Sequence, residues 1–329
     1  MLSKSQFIYP KCFHSLKLWL EKSKKKMEIY NKINPQLFDV TLRDGLQTVS
    51  KDLSHIWTTQ EKKNMYYKIL FNHKPQKCEI GSLTNPKILP IFNDSLELLK
   101  ELNQNLIIDL NNPKNNKYIL IPNFKMFKKA LEADVNNFSF ITSVSNEFQK
   151  KNTNMTIHET KEGIHDMINL LSTKDSINTK DSIILKNYNI KLYISCISEC
   201  PLMGQIDINF IISEILYYNN FDTINELCLS DTCGTLKFDD FKYIIERCIH
   251  FGLPLIKLSL HLHCSDENME NTKKILNYSL DKKINKFDVS MLNSGGCTVT
   301  MSNEKCNNNL SYDTFYKILV DYIENNVDK

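Results

Sequence analysis

Eight short apolar runs, each followed by a longer amphipathic or polar stretch, constrain this chain more than any other feature. The predicted strands are Leu37–Leu42, Lys77–Ile80, Tyr118–Pro122, Phe138–Ser143, Ile190–Ser195, Glu226–Leu229, Lys257–His263 and Lys286–Val289. Between them the apolar residues recur at helical spacing over Thr58–Leu70, Phe124–Glu132, Thr156–Leu171, Ile208–Tyr218, Phe238–His250 and Asn268–Ser279, and a last such stretch, Tyr312–Ile323, follows the eighth strand. Strand–helix alternation repeated eight times predicts an α/β chain folded as a (β/α)8 TIM barrel. A doubly wound open sheet is the competing arrangement, but it usually carries a glycine-rich turn after its first strand, and none follows Leu42.

The chain has 329 residues, enough for one large barrel with additions. Residues 1–34 are rich in lysine, with Glu21 and Glu28 as the only acidic residues. They are expected to form a basic, partly helical N-terminal extension, and residues 35–329 the barrel that carries the site. The tandem repeat TKDSI at 173–177 and 179–183 has little to bury, which predicts a polar surface insertion at about 172–188.

A net charge of +3 gives no electrostatic argument for nucleic-acid or membrane binding. No apolar run reaches the ~20 residues needed to span a bilayer. The ten cysteines are scattered without zinc-knuckle spacing, which favours a reducing compartment. The cytoplasm is the expected location. The mitochondrion is the alternative, because the lysine-rich start resembles a transit segment while lacking arginine and a small-residue cleavage pattern.

Glycine marks where the chemistry should lie. Only eight glycines occur, against about 23 at average usage. Six of them, Gly45, Gly81, Gly204, Gly234, Gly295 and Gly296, fall just after predicted strands, on the barrel face where active sites form. In Ser259-Leu260-His261-Leu262-His263 the alternation of a strand points both imidazoles one way, an arrangement suited to a metal ion, though two histidines are only half a ligand set. Strand one runs into Arg43-Asp44-Gly45, offering a hard oxygen ligand in Asp44 and an oxyanion-stabilising fork in Arg43. Asp231, after strand six, suits proton transfer or simple turn capping. Glu79 would point inward at the end of strand two. Cys297 follows a glycine pair after strand eight, where a thiol can act as acid or nucleophile or be merely structural.

Together these segments resemble the DRE-TIM metallolyases (the HMGL-like, or pyruvate carboxyltransferase domain, family), and within them the 3-hydroxy-3-methylglutaryl-CoA lyases most closely. The resemblance spans about Leu37 to Leu319. It rests on TLRDGLQ at 41–47, EIGSLTNPKILP at 79–90, IPNFKMFKKALEA at 121–133, SNEFQKKN at 145–152, YISCISECPLMGQI at 193–206, LSDTCGT at 229–235, LHLHC at 260–264 and SGGC at 294–297. It implies a Mg2+ or Mn2+ ion held by Asp44, His261, His263 and an asparagine, with Asn309 aligning best and Asn307 or Asn308 as substitutes. It further implies Arg43, Glu79, Asp231 and Cys297 as catalytic residues, an acyl-CoA substrate and, as an open expectation, a homodimer.

The sequence departs from the family pattern twice. The stretch Thr298–Asn308 lacks the usual glycines and is lengthened, and Cys264–Asn268 is one residue short and lacks a glycine. The implied reaction is a retro-Claisen cleavage of 3-hydroxy-3-methylglutaryl-CoA or a similar 3-hydroxyacyl-CoA. Asp231, or a water near Glu79, would take the hydroxyl proton, Arg43 would hold the enolate and Cys297 would return a proton. The rivals are a condensing synthase of the same superfamily, which would be expected to carry a long C-terminal extension not found up to Lys329, and an impaired member kept as a binding scaffold. A metal-dependent amidohydrolase is a third, but its His-x-His pair usually sits on the first strand.

Overall fold

The computed structural model describes residues 9–104, 116–174, 188–297, 299–302 and 306–327. Eight parallel strands form a closed barrel: β1 (Gln36–Asp39), β2 (Lys77–Ser82), β3 (Lys117–Ile121), β4 (Asn137–Ser143), β5 (Asn189–Ser195), β6 (Glu226–Asp231), β7 (Leu258–Cys264) and β8 (Lys286–Val289). Each pairs with the next, and β8 closes the ring on β1 with Leu37 opposite Phe287 and Phe38 opposite Asp288. Helices follow every strand, so the (β/α)8 expectation holds. Most of the expected polar insertion, residues 175–187, lies outside the described residues.

Alternation along the strands separates two cores. Outward residues such as Ile119, Phe138, Leu192, Leu227 and Leu260 pack against the helices. Inside, Phe38, Val40 and Tyr118 form one small cluster and Leu120, Tyr193 and Cys228 another. Helix starts follow their caps: Thr58, Asn123 and Ser145 accept backbone N–H groups of Glu61, Met126 and Phe148. Before the barrel, helix Lys24–Ile33 packs on the last helix, Tyr312–Val327, and helix Phe13–Leu20 on Lys24–Ile33 and Thr59–His73; Tyr9 donates to Asp321 at 2.8 Å and Lys26 pairs with Glu324 at 2.6 Å. All ten cysteines are free thiols. Among the described residues no helix is long and apolar enough to cross a membrane.

Three strand ends differ from the sequence expectation by two residues or more; strand six runs past Leu229 to Asp231, and strands one and two differ as follows. Strand one was expected to run to Leu42, but it stops at Asp39 and Thr41–Gly45 wind into a single π-helical turn, closed by the Gly45 N–H on the Val40 carbonyl at 3.0 Å. The β-branched Val40-Thr41 pair loses to the Asp39 carboxylate, which takes both the N–H and the hydroxyl of Thr41 at 2.9 Å. Strand two continues past Ile80 through Gly81 to Ser82, with a register shift between Glu79 and Gly81. Gly81 is there for space: a Cβ would overlap the hydroxyl of Ser95 and lie 2.8 Å from its Cβ. That hydroxyl receives the Ser82 N–H at 3.1 Å and donates to the Phe92 carbonyl at 2.8 Å. Gly81→Ala is therefore expected to cost about 1–3 kcal/mol as an overpacked core site. Urea titration checks this, and an unchanged midpoint would remove the steric account.

Candidate active site

The π-helical turn decides the chemistry of the barrel mouth. In an extended strand Arg43 and Asp44 would point to opposite faces. Wound into the turn, both side chains line one cavity, and single π-turns are frequent at functional sites. The Arg43 Nε donates to Glu79 Oε2, and its Nη1 donates to Asp44 Oδ1 at 2.5 Å. Its guanidinium lies 5.1 Å from the ring centre of Tyr193, whose hydroxyl donates to Glu79 at 3.1 Å. Burial opposes the charge on Arg43, but Glu79 and Asp44 outweigh it and raise its pKa further. Burial likewise opposes ionisation of Asp44, and there Arg43 outweighs it, holding the carboxyl well below the usual range.

His261 and His263 point inward from β7 while Leu260 and Leu262 are buried on its other face. Their Nε2 atoms lie 3.9 and 3.6 Å from Asp44 Oδ2. The far nitrogen of each ring is tied back, His263 Nδ1 to the Asp231 carbonyl at 2.9 Å and His261 Nδ1 to Asp288 Oδ2 at 3.1 Å. A backbone carbonyl can only accept, which places the His263 proton on Nδ1 and turns an Nε2 lone pair into the site, and an ionised Asp288 favours the same arrangement for His261. Burial lowers the pKa of His261. Burial works the same way on His263, but Asp44 beside it outweighs burial and raises the pKa.

Asn309 joins this group from a two-residue strand, Asn308–Asn309, that pairs antiparallel with β7 and sets Asn309 opposite His263. Its Nδ2 donates to the Ser294 carbonyl at 3.0 Å, leaving Oδ1 as the free end. Asn307 spends its amide on the Cys233 carbonyl, and Asn308 is exposed. Gly295 lets the loop close: a Cβ there, at a φ of +147°, would overlap the Asn309 amide and lie 2.9 Å from Asp44 Oδ2.

Asp44, His261 and His263 thus offer ligand atoms within 4.8 Å of one another. The same site holds two buried atoms without a hydrogen-bond partner, His263 Nε2 and Asn309 Oδ1. Such orphans are costly unless something pairs with them. One carboxylate oxygen, two imidazole nitrogens and an amide oxygen, with no thiolate among them, fit a divalent cation of hard to borderline character.

The four residues expected to react divide. Arg43 and Cys297 line the cavity, whereas Glu79 and Asp231 do not. Glu79 is fully buried behind Arg43, and its Oε1 has no partner. Both carboxylate oxygens of Asp231 accept backbone N–H groups, from Thr235 and Leu236 at 3.1 Å, so its side chain caps its own loop. Burial pushes its pKa up to about 6. The Cys297 Sγ lies 3.6 Å from Asn152 Oδ1, and burial raises its pKa. The remaining wall is largely apolar, with Leu89, Phe92, Leu120, Ile141 and Phe148.

Sequence reasoning passed over Asp288, Lys191 and Tyr193. The first two carried a legible signal, a charged residue in the middle of an apolar strand. The short segment after His263 works without a glycine because Asn268 fastens it, donating to the Gly234 and His263 carbonyls at 2.7 and 3.0 Å.

Comparison with known proteins gives a consistent result. The sequence model of the HMGL-like family matches residues 34–268. A hydroxymethylglutaryl-CoA lyase of Bacillus subtilis is 26% identical over 262 residues, 79% of this chain and 77% of that protein. The 3-hydroxy-3-isohexenylglutaryl-CoA/hydroxymethylglutaryl-CoA lyase of Pseudomonas aeruginosa is 25% identical over 222 residues, 67% of this chain and 65% of that one. Among solved structures, the HMG-CoA lyase of Brucella melitensis superimposes with a TM-score of 0.68 at 21% identity, covering 87% of this chain and 90% of that one. An Acinetobacter baumannii HMG-CoA lyase in complex with coenzyme A and 3-methylmalate gives 0.67 at 21%, covering 89% and 84%.

Proposed function

The chain belongs to the HMGL-like family of carbon–carbon lyases, and from that premise we propose that it cleaves 3-hydroxy-3-methylglutaryl-CoA, or a 3-hydroxyacyl-CoA of similar shape, in a retro-Claisen reaction dependent on Mg2+ or Mn2+. The observation that carries this reading is the convergence of Asp44, His261, His263 and the unpartnered Asn309 oxygen beside Arg43 at one barrel mouth. Those four side chains would hold the cation, which supplies Lewis-acid polarisation of the substrate's hydroxyl and acyl oxygens.

The substrate's 3-hydroxyl proton would pass to a water at the cavity mouth, which also restores the Cys297 thiol after its proton is given, and the protein's own groups account for the rest. Two of Arg43's five donors are spent on Glu79 and Asp44, leaving three for the oxygen of the thioester enolate released when the C–C bond breaks. Its charge is fixed in place before the reaction, so little reorganisation is needed as the enolate forms. Cys297, its pKa raised by burial, keeps its proton near neutral pH and can give it to the enolate carbon. Glu79 and Asp231 act at one remove in this reading. Glu79 aims Arg43, and the Asp231 carbonyl aims His263. The apolar wall excludes water from the enolate. An acyl-CoA substrate also agrees with the coenzyme A bound in the A. baumannii structure.

The test is direct. Purified protein with 3-hydroxy-3-methylglutaryl-CoA and Mn2+ is expected to yield acetoacetate and acetyl-CoA. EDTA should abolish the activity and added Mn2+ restore it. No acetoacetate from metal-loaded protein would discard this substrate, and no measurable Mn2+ or Mg2+ binding would discard the metal-dependent mechanism.

A further inference from the structure

We propose that Asp288 is a positioning residue that fixes the tautomer of His261, with Lys191 setting which Asp288 oxygen does so. The inference rests on the metal-dependent reading above and concerns side chains that do not touch the cavity. Asp288 is 2% exposed on β8. Its Oδ1 receives the Lys191 ammonium, and its Oδ2 stands 3.1 Å from His261 Nδ1.

The two histidines are oriented by different means. His263 donates to a backbone carbonyl, which no side-chain substitution removes. Among the described residues the Nδ1 of His261 has only the Asp288 carboxylate. Beneath it the barrel interior carries a row of alternating charges. Lys191 also lies 3.1 Å from Glu226 Oε1, and Glu226 Oε2 lies 3.3 Å from Lys77, whose side chain is 29% exposed. Lys191 sits 3.7 Å from the ring centre of Phe38. Buried ion pairs of this kind often stabilise no better than apolar residues of equal volume. Their position directly under His261 gives them a use: the row holds Asp288 with one oxygen occupied and the other turned to the imidazole.

The consequence is specific. An Asp288→Asn side chain has one oxygen where two acceptors are required. Lys191, a pure donor, takes that oxygen, and the amide N–H2 then faces His261 Nδ1. The ring must accept there and carry its proton on Nε2, the atom needed as a ligand.

The experiment uses full-length protein labelled with 15N-histidine, with His261 assigned by the signals lost in His261→Gln. Long-range 1H–15N correlation in EDTA is expected to show the Nδ1–H tautomer in the wild type and the Nε2–H tautomer in Asp288→Asn. Mn2+ affinity, read by electron paramagnetic resonance, should weaken roughly 10–100-fold, the usual cost of losing a group that orients a ligand. In Asp288→Asn/Lys191→Met the amide is free to turn its oxygen to the ring, so the Nδ1–H signal should return. A wild-type Nε2–H tautomer overturns the proposal, and so does an Asp288→Asn protein with unchanged tautomer and Mn2+ affinity. The wild-type spectrum decides even if the variants fail to fold. Wild-type protein that shows the expected tautomer but binds no Mn2+ overturns the metal reading instead, so the two failures are distinguishable.

Discussion

Replacing Arg43 with methionine is expected to lower kcat by about 10²–10³-fold or more while Mn2+ still binds. The guanidinium is the only fixed cation lining the cavity among the described residues, and in the proposed reaction it is the group that would face the acyl oxygen as charge develops there. A methionine fills much of the same volume but offers no donor. The substitution also removes the charged partner of Glu79, which is fully buried and is left with the Tyr193 hydroxyl, and one partner of Asp44. Removing one partner of a buried ion pair costs about 3–5 kcal/mol, so the variant should melt earlier as well as react slowly. Arg43→Lys separates the two effects. A lysine restores charge near Glu79 and should recover much of the melting temperature, but it cannot donate along two fixed directions to Glu79 and Asp44 and still face an enolate. Its kcat should stay close to that of Arg43→Met. Steady-state kinetics below both melting points, beside a Mn2+ titration, decides the matter. An Arg43→Met enzyme turning over near the wild-type rate would remove Arg43 from the chemistry.

The barrel and the inward-facing histidine pair were legible because both follow from local pattern. Eight apolar runs with turn signals fix the strand count, and strand alternation alone puts His261 and His263 on one side of β7. What escaped depends on long-range geometry. The period-2 reading extended strand one through Leu42, because propensity sees Val40-Thr41-Leu42 and not the Asp39 carboxylate that seizes Thr41. The joint inward aim of Arg43 and Asp44 follows from the turn that replaces the strand end. Asp231 fits either proton transfer or turn capping in sequence. The positions of Thr235 and Leu236 N–H, known only once the loop is folded, occupy both its oxygens. Among Asn307, Asn308 and Asn309 the sequence ranks candidates only by alignment. Folding separates them by what each amide already bonds, and Asn309 alone combines burial with a free oxygen. Lys191 and Asp288, 97 residues apart, become partners only when β5 and β8 face each other across the barrel interior.

His263→Ala is the second substitution with a large expected effect, and it separates ligand from scaffold. The ring makes one hydrogen bond, to the Asp231 carbonyl, and turns an unpartnered Nε2 toward Asp44. Truncation removes one of that carbonyl's two hydrogen bonds and leaves it the Gly234 N–H at 3.2 Å, a loss of about 0.5–1.5 kcal/mol. It also takes away one of two nitrogen donors, so Mn2+ affinity should fall beyond the roughly 10–100-fold that loss of a supporting group costs. Linkage makes this visible without any assay of turnover. A ligand that binds only the folded state at 100 times its Kd stabilises by about 2.7 kcal/mol. Wild-type protein should therefore melt several degrees higher in excess Mn2+ than in EDTA, whereas His263→Ala should melt at one temperature in both. Acetoacetate formation should disappear at the Mn2+ concentration that saturates the wild type. If His263→Ala keeps both the Mn2+-dependent rise in Tm and measurable lyase activity, His263 is not a ligand, and its free Nε2 must answer to something else at the barrel mouth. If the wild type shows no rise, the convergence of Asp44, His261 and Asn309 on that nitrogen is not a metal site at all.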